Sequence, residues 1–139
     1  MSSATQSDTK NGKLPLICGE DLTLKEGYLC TLTSTGALLP TAITDLVPFL
    51  CDAGDVLGES GDFIPFTGEK NHRVWAKGAG SKGDRLVLAD PGTAADKGKV
   101  RVLPGATGTY LVIAIAEEDF EDGQLVKVRP VPTLSTAVA

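Results

Sequence analysis

At 139 residues, with 42% apolar and 22% charged side chains, the chain has the size and balance of one folded domain that needs no metal or disulfide to hold a core. Its formal net charge of −5 and scattered 13 Lys and Arg exclude the dense cationic face that nucleic-acid binding requires. The longest apolar stretch, Tyr110–Ala116, is too short to cross a bilayer, and the first residues lack the basic-then-apolar pattern of a signal peptide. The expectation is a soluble, non-exported protein with neither a nucleic-acid nor a membrane partner.

Residues 1 to about 13 are polar and carry almost no branched apolar side chain, so they predict a flexible arm. The arm is assigned to residues 1–18, its last part being the first apolar run, Leu14–Cys18. A β-rich domain over 19–130 and a tail over 131–139 follow. One phrase then recurs: Lys25-Glu26-Gly27 leading into Tyr28–Leu32, Ser81-Lys82-Gly83 into Asp84–Leu88, and Glu121-Asp122-Gly123 into Gln124–Val128. In each copy the third and fifth residues after the glycine are apolar, which places them on one face of a strand. The polar pair with Gly is turn chemistry, Gly being free to take a positive φ.

Period-two runs predict strands at Leu14–Cys18, Tyr28–Thr33, Val47–Cys51, Asp62–Phe66, Arg73–Ala76, Arg85–Ala89, Lys99–Leu103, Tyr110–Ala116 and Leu125–Pro130. Turn clusters such as Ser34-Thr35-Gly36 and Gly78–Gly83 separate them. Short helical turns are allowed only at Thr41–Leu46 and Glu117–Phe120. Pro130 and Pro132 cannot donate to a ladder, so the tail should end the fold and run along the surface. The fold class is therefore mainly β, a compact antiparallel barrel or sandwich with at most one or two short helices and an extended N-terminal arm. Tyr110–Ala116 is apolar on both faces, which suits a central strand or one buried against another subunit. Trp75, Leu111, Ile113 and Ile115 are the candidate core or subunit anchors.

Catalytic chemistry finds little footing. His72 is the only histidine, and pairing it with Cys51 would still need an orienting group and an oxyanion hole. Cys18, Cys30 and Cys51 lie in or beside apolar runs as expected of buried reduced thiols, and they lack the paired spacing of zinc ligands. The acids Asp52, Asp55, Glu59 and Asp62 do not follow a calcium-loop pattern. Gly78–Gly83 lacks the order of a phosphate loop. The acidic run Glu117–Asp122 reads as a solvated turn, or more boldly as a contact for a basic partner. No catalytic, cofactor or metal residue is assigned, and the expectation is a protein that is not an enzyme.

Gly83–Ala89, Gly98–Val102, Leu111–Ala116 and Asp122–Val128, taken together, resemble the tailed-bacteriophage capsid decoration (cement) proteins. In that family a G-D-x-V strand precedes a G-x-A strand of small residues, then an acidic or alanine-rich turn, then G-x-x-V-x-V. Val56–Asp62 and the Gly27 phrase look like an earlier copy of the plan, and the likeness spans about residues 20–130. Thr109–Ala114 departs from it by lacking the usual opening glycine, and Phe66–Arg73 has no counterpart. The resemblance implies a β-tulip-like domain that forms homotrimers on the outer surface of the phage head. Bound at local three-fold positions against the major capsid protein, these stabilise the shell without any cofactor. It implies a virion location after synthesis in the bacterial host cytoplasm. It also implies an N-terminal arm reaching the capsid protein, with Lys10, Lys13, Leu14, Pro15, Leu16 and Ile17 as its contact residues. A small-ligand or glycan-binding β module, with Trp75, Tyr28 and Tyr110 as a stacking platform, is the alternative.

Overall fold

The computed structural model describes residues 12–139; the expected arm residues 1–11, Lys10 among them, lie outside the described residues. Ten strands are present: β1 Leu14–Ile17, β2 Leu29–Thr33, β3 Gly36–Leu38, β4 Phe49–Ala53, β5 Ser60–Pro65, β6 His72–Trp75, β7 Arg85–Leu88, β8 Val100–Val102, β9 Gly108–Ala116 and β10 Leu125–Val138. They form two antiparallel five-stranded sheets, in the orders β1-β5-β4-β2-β3 and β6-β10-β9-β7-β8. The architecture is mainly β and sandwich-like. Neither sheet closes into a barrel by a continuous ladder, but single bridges, Cys18–Ala37 and Ala76–Val100, draw the two edges of each sheet together.

The recurring glycine phrase builds one device. In each copy the residue after the glycine donates its N–H to the carbonyl two residues before the glycine: Tyr28 to Lys25, Asp84 to Ser81 and Gln124 to Glu121, at 3.0–3.3 Å. The glycines sit at φ 87°, 92° and 76°, the left-handed region open to Gly at no steric cost. Each turn then clamps one strand residue by two bonds. Gly27 donates to Cys51 O and Tyr28 O accepts from Cys51 N–H; the equivalent partners are Ala116 for Gly83 and Asp84, and Ala76 for Gly123 and Gln124. Gly58, at φ 87°, repeats the clamp on Cys18 with Glu59, so Val56–Asp62 is a fourth copy. Downstream, Gly61 and Phe63, Leu86 and Leu88, and Val126 and Val128 are buried as the alternation requires. Leu32 departs from it at 47% exposed, because β2 pairs with β4 only at Leu29 and Cys30.

Two cores result. Cys18, Leu22, Cys30, Ala37, Leu39, Cys51 and Phe63 fill the first sheet. The second sheet packs Val74, Leu86, Leu88, Val100, Ala114, Val126 and Val128 together with Leu29, Val47 and Leu50 of the first, which joins the layers. The Gly27 turn fastens that joint. Trp75 N–H donates to Gly27 O at 3.0 Å and its indole N–H to Glu26 O at 2.8 Å, while Leu29 N–H donates to Gly98 O at 2.8 Å.

Four expectations need correction. Gly36, read as a turn residue, opens β3, where its lack of a side chain admits the Ile17 carbonyl. Residues 14–17 do not continue an arm; they are the edge strand β1, paired with β5 from Leu14↔Phe63 to Ile17↔Ser60, and Cys18 is fully buried. The tail 131–139 does not end the fold: β10 runs to Val138, with a register shift between Pro130 and Leu134. The prolines fall at this irregularity and beyond the last β6 pairing, places where a sheet tolerates them. Finally, neither helical turn forms. Asp45 accepts from Thr41 and Ala42 N–H in a local turn, and the amides of Glu117 and Phe120 bond Lys127 O and Gly80 O; the one short 3₁₀ turn described is Ala94–Asp96.

The four clamp glycines give a graded test. A Cβ at Gly58, Gly83 or Gly123 meets nothing within 4 Å, whereas at Gly27 it meets Leu125 Cδ2 at 2.8 Å and the Trp75 ring at 3.0 Å. Gly→Ala at the three open sites should cost only the left-handed backbone penalty, about 1–2 kcal/mol. Gly27→Ala should cost measurably more in urea unfolding, and equal losses at all four would contradict this account of the joint.

Candidate functional site

The feature that stands apart from the packed layers is the β9–β10 ribbon. β10 pairs with β6 only over Leu125–Val128, and β9 pairs with β7 only at Ala114 and Ile115. Among the described residues, the ladder from Gly108↔Val138 to Val112↔Leu134 therefore has no neighbour on either outer edge. The register places Tyr110, Val112, Leu134, Thr136 and Val138 on one face, and Thr109, Leu111, Ser135 and Ala137 on the other. Leu134 is 59% exposed. A two-stranded ribbon is at best marginally stable in water, and unpaired strand edges are templates for another strand.

An apolar groove of about 200 Å³ opens at the ribbon's base. Leu46, Val47 and Pro48 ahead of β4, Phe66 after β5, and Ile113, Pro130, Val131 and Thr133 of the ribbon line it. Leu46 is 66% exposed.

The four candidate anchors separate. Ile113 is buried and lines the groove, and Leu111 is half-buried on the ribbon. Trp75 fastens the two sheets. Ile115 lies in register with Arg85 on one side and Arg129 on the other, flanked by their positions across the sheet. Of the arm residues, Lys13 pairs with Asp52 at 2.7 Å and Leu14–Ile17 form β1. Exposure alternation alone did not reveal the ribbon's reach, since Thr133–Ala137 contain no strong apolar period. The sequence does mark this segment in another way, by the absence of charged side chains from Pro130 to Ala139.

Cys51 and His72 line one cavity of about 320 Å³, with Glu26, Asp52, Lys70 and Arg73 at its walls. They do not form a nucleophile–base pair. Burial pushes the Cys51 thiol up to about 12 and raises Cys30 as well, the opposite of an activated thiolate. His72 Nε2 is 3.2 Å from Thr67 O, which it reaches as a donor, and its ring packs against Phe66. Among the described residues no three His, Cys, Asp or Glu side chains gather as metal ligands. Trp75 pairs with Leu125 and Tyr110 with Thr136, so roughly 35 Å of β10 separates them and they share no stacking platform.

The acidic run does internal work. Asp122 accepts from Gly78 N–H at 2.7 Å, Asp119 from Lys82 N–H at 2.8 Å, and Glu118 from Lys127 N–H at 3.0 Å and Arg73 at 3.1 Å. Glu117 pairs with Arg129 at 3.2 Å. The Asp119 and Asp122 bonds fasten the β9–β10 turn to the loop ahead of β7, and the Glu117 and Glu118 bonds fasten it to β10 and β6, opposite the ribbon's open end.

The chain matches no protein-family model, no curated protein and no solved structure. Among the described residues no helix is long and apolar enough to cross a membrane.

Stability should fall with acidity in two stages. Burial lowers the His72 pKa below its ordinary 6.5, favouring the neutral ring in the folded state, so its contribution declines as pH drops below 6.5. The backbone bonds from Lys127 and Gly78 hold Glu118 and Asp122 below their ordinary 4.5 and 3.8. Their contribution is complete above those values and is lost as pH falls through the lower folded ones. Urea midpoints should decline from pH 6.5 and faster below 4.5; a midpoint that rises on acidification would contradict these assignments.

Proposed function

We propose that the protein is a structural component of a tailed-bacteriophage head. On this reading it is a homotrimeric decoration protein bound to the outer surface at local three-fold positions, where it braces the major capsid protein. The observation that carries this reading is the β9–β10 ribbon, a two-stranded element with open edges that copies of the same chain can cover. The turn–strand phrases behind the family resemblance are the clamps that build both sheets, so the likeness rests on structural residues of the fold. Burial raises the Cys30 and Cys51 thiols well above the range of an activated nucleophile, which suits a molecule that works by contact.

A second surface suits the shell. The Gly58 clamp bonds Gly58 and Glu59 to Cys18, and Leu22 N–H donates to Asp55 O at 2.9 Å, so the 55–59 loop is fastened along residues 18–22. Ile17, Leu24, Val56 and Leu57 are 50%, 82%, 49% and 67% exposed. Exposed apolar side chains carried on loops fastened to one another in this way suit a protein interface. Leu24 is held at φ 61°, a conformation a bulky side chain rarely keeps without a reason. β1 leads from this end of the first sheet toward residues 1–11, whose polar composition suits an arm that adds to a sheet edge. Three such contacts on one trimer multiply weak affinities through local concentration.

Light scattering should give a trimer, and purified virions should contain the chain in stoichiometric amount. Leu57→Glu should leave the trimer and its melting unchanged while weakening co-sedimentation with expanded heads at least tenfold. A monomer at micromolar concentration, absent from particles, overturns the proposal.

A further inference from the structure

We infer that side chains at the open end of one copy's β9–β10 ribbon enter the apolar groove of the next copy, so that the trimer closes through three identical ribbon-to-groove contacts. The inference rests on the trimeric reading above and names the surfaces that make it.

The ribbon and the groove match in chemistry. In a chain with 22% charged residues, neither Pro104–Ala116 nor Pro130–Ala139 holds a charged side chain. The groove lining, Leu46, Val47, Pro48, Phe66 and the ribbon's own base, is uncharged as well. Exposed edges are ordinarily guarded by lysines or other charges; here both edges of the ribbon's open end lack them, as expected of edges covered by protein. The ribbon cannot fill its own groove. Thr133 lines that groove, and Ala137 and Val138 lie four and five residues further along a strand, roughly 13–17 Å away. Each copy supplies one ribbon and one groove, so docking head to tail leaves neither empty. A contact between two different patches generates a ring when the rotation closes.

The native thiols are buried, which leaves introduced cysteines as the reactive pair. Leu46→Cys with Ala137→Cys in one chain, oxidised with copper–phenanthroline, should give a covalent three-chain species on a non-reducing gel that reverts on reduction. Each single variant should remain one chain. A trimer by light scattering that stays single-chain after oxidation overturns the docking and leaves the trimer standing; a monomer by both measurements overturns both. Independently, Ala137→Arg should raise the concentration at half-assembly at least tenfold with an unchanged far-ultraviolet spectrum. An unshifted assembly curve counts against the docking.

Discussion

The joint between the two sheets depends on a single turn. Gly27 donates its N–H into β4 at Cys51, while its carbonyl and that of Glu26 both accept from Trp75 of β6. That geometry demands a positive φ and leaves no room for a Cβ against Leu125 and Trp75. With the turn in place, Leu29 and Leu50 enter the core of the opposite sheet, and both layers share one apolar interior. The same clamp without the inter-sheet bonds appears at Gly58, Gly83 and Gly123. One local solution thus serves both layers, and one copy of it has become the fastening between them.

Much of this was legible in the chain because turn glycines and period-two alternation are local signals. The nine expected strands all have counterparts, and the polar pair before each glycine marks the turn correctly. What escaped was decided by partners distant in sequence. β3, although Ser34-Thr35-Gly36 reads as a turn, is held on its far side by the Cys18–Ala37 bridge and the Gly19 N–H bond to Ala37 O, beside its hairpin with β2. Residues 131–138 stay in the sheet because β9 offers a ladder, despite two prolines that argue for an end. The helical turn at Glu117–Phe120 is lost to Lys127 and Gly80, which take its amides. Leu32 follows the apolar pattern yet lies exposed, since its strand has already left its inner neighbour.

The candidate site was less legible, for a related reason. Trp75, Leu111, Ile113 and Ile115 stand out as large apolar residues, but the structure gives them four different surroundings. The ribbon's distinguishing properties are open edges and missing charge, and neither depends on any one side chain. The reading of the molecule as a contact-making scaffold follows from that division. The clamps hold the interior of both sheets, the acidic turn holds one end of the ribbon, and the other end has strand edges with no neighbour among the described residues.

In the proposed assembly, other copies of the chain complete the ribbon. Amide hydrogen exchange read across a dilution series tests it most directly. Residues 109–112 and 134–138 should exchange quickly in dilute solution and become protected as concentration rises, while the cores of both sheets stay protected throughout. Ribbon protection that is independent of concentration, whether uniformly high or uniformly absent, would contradict the account.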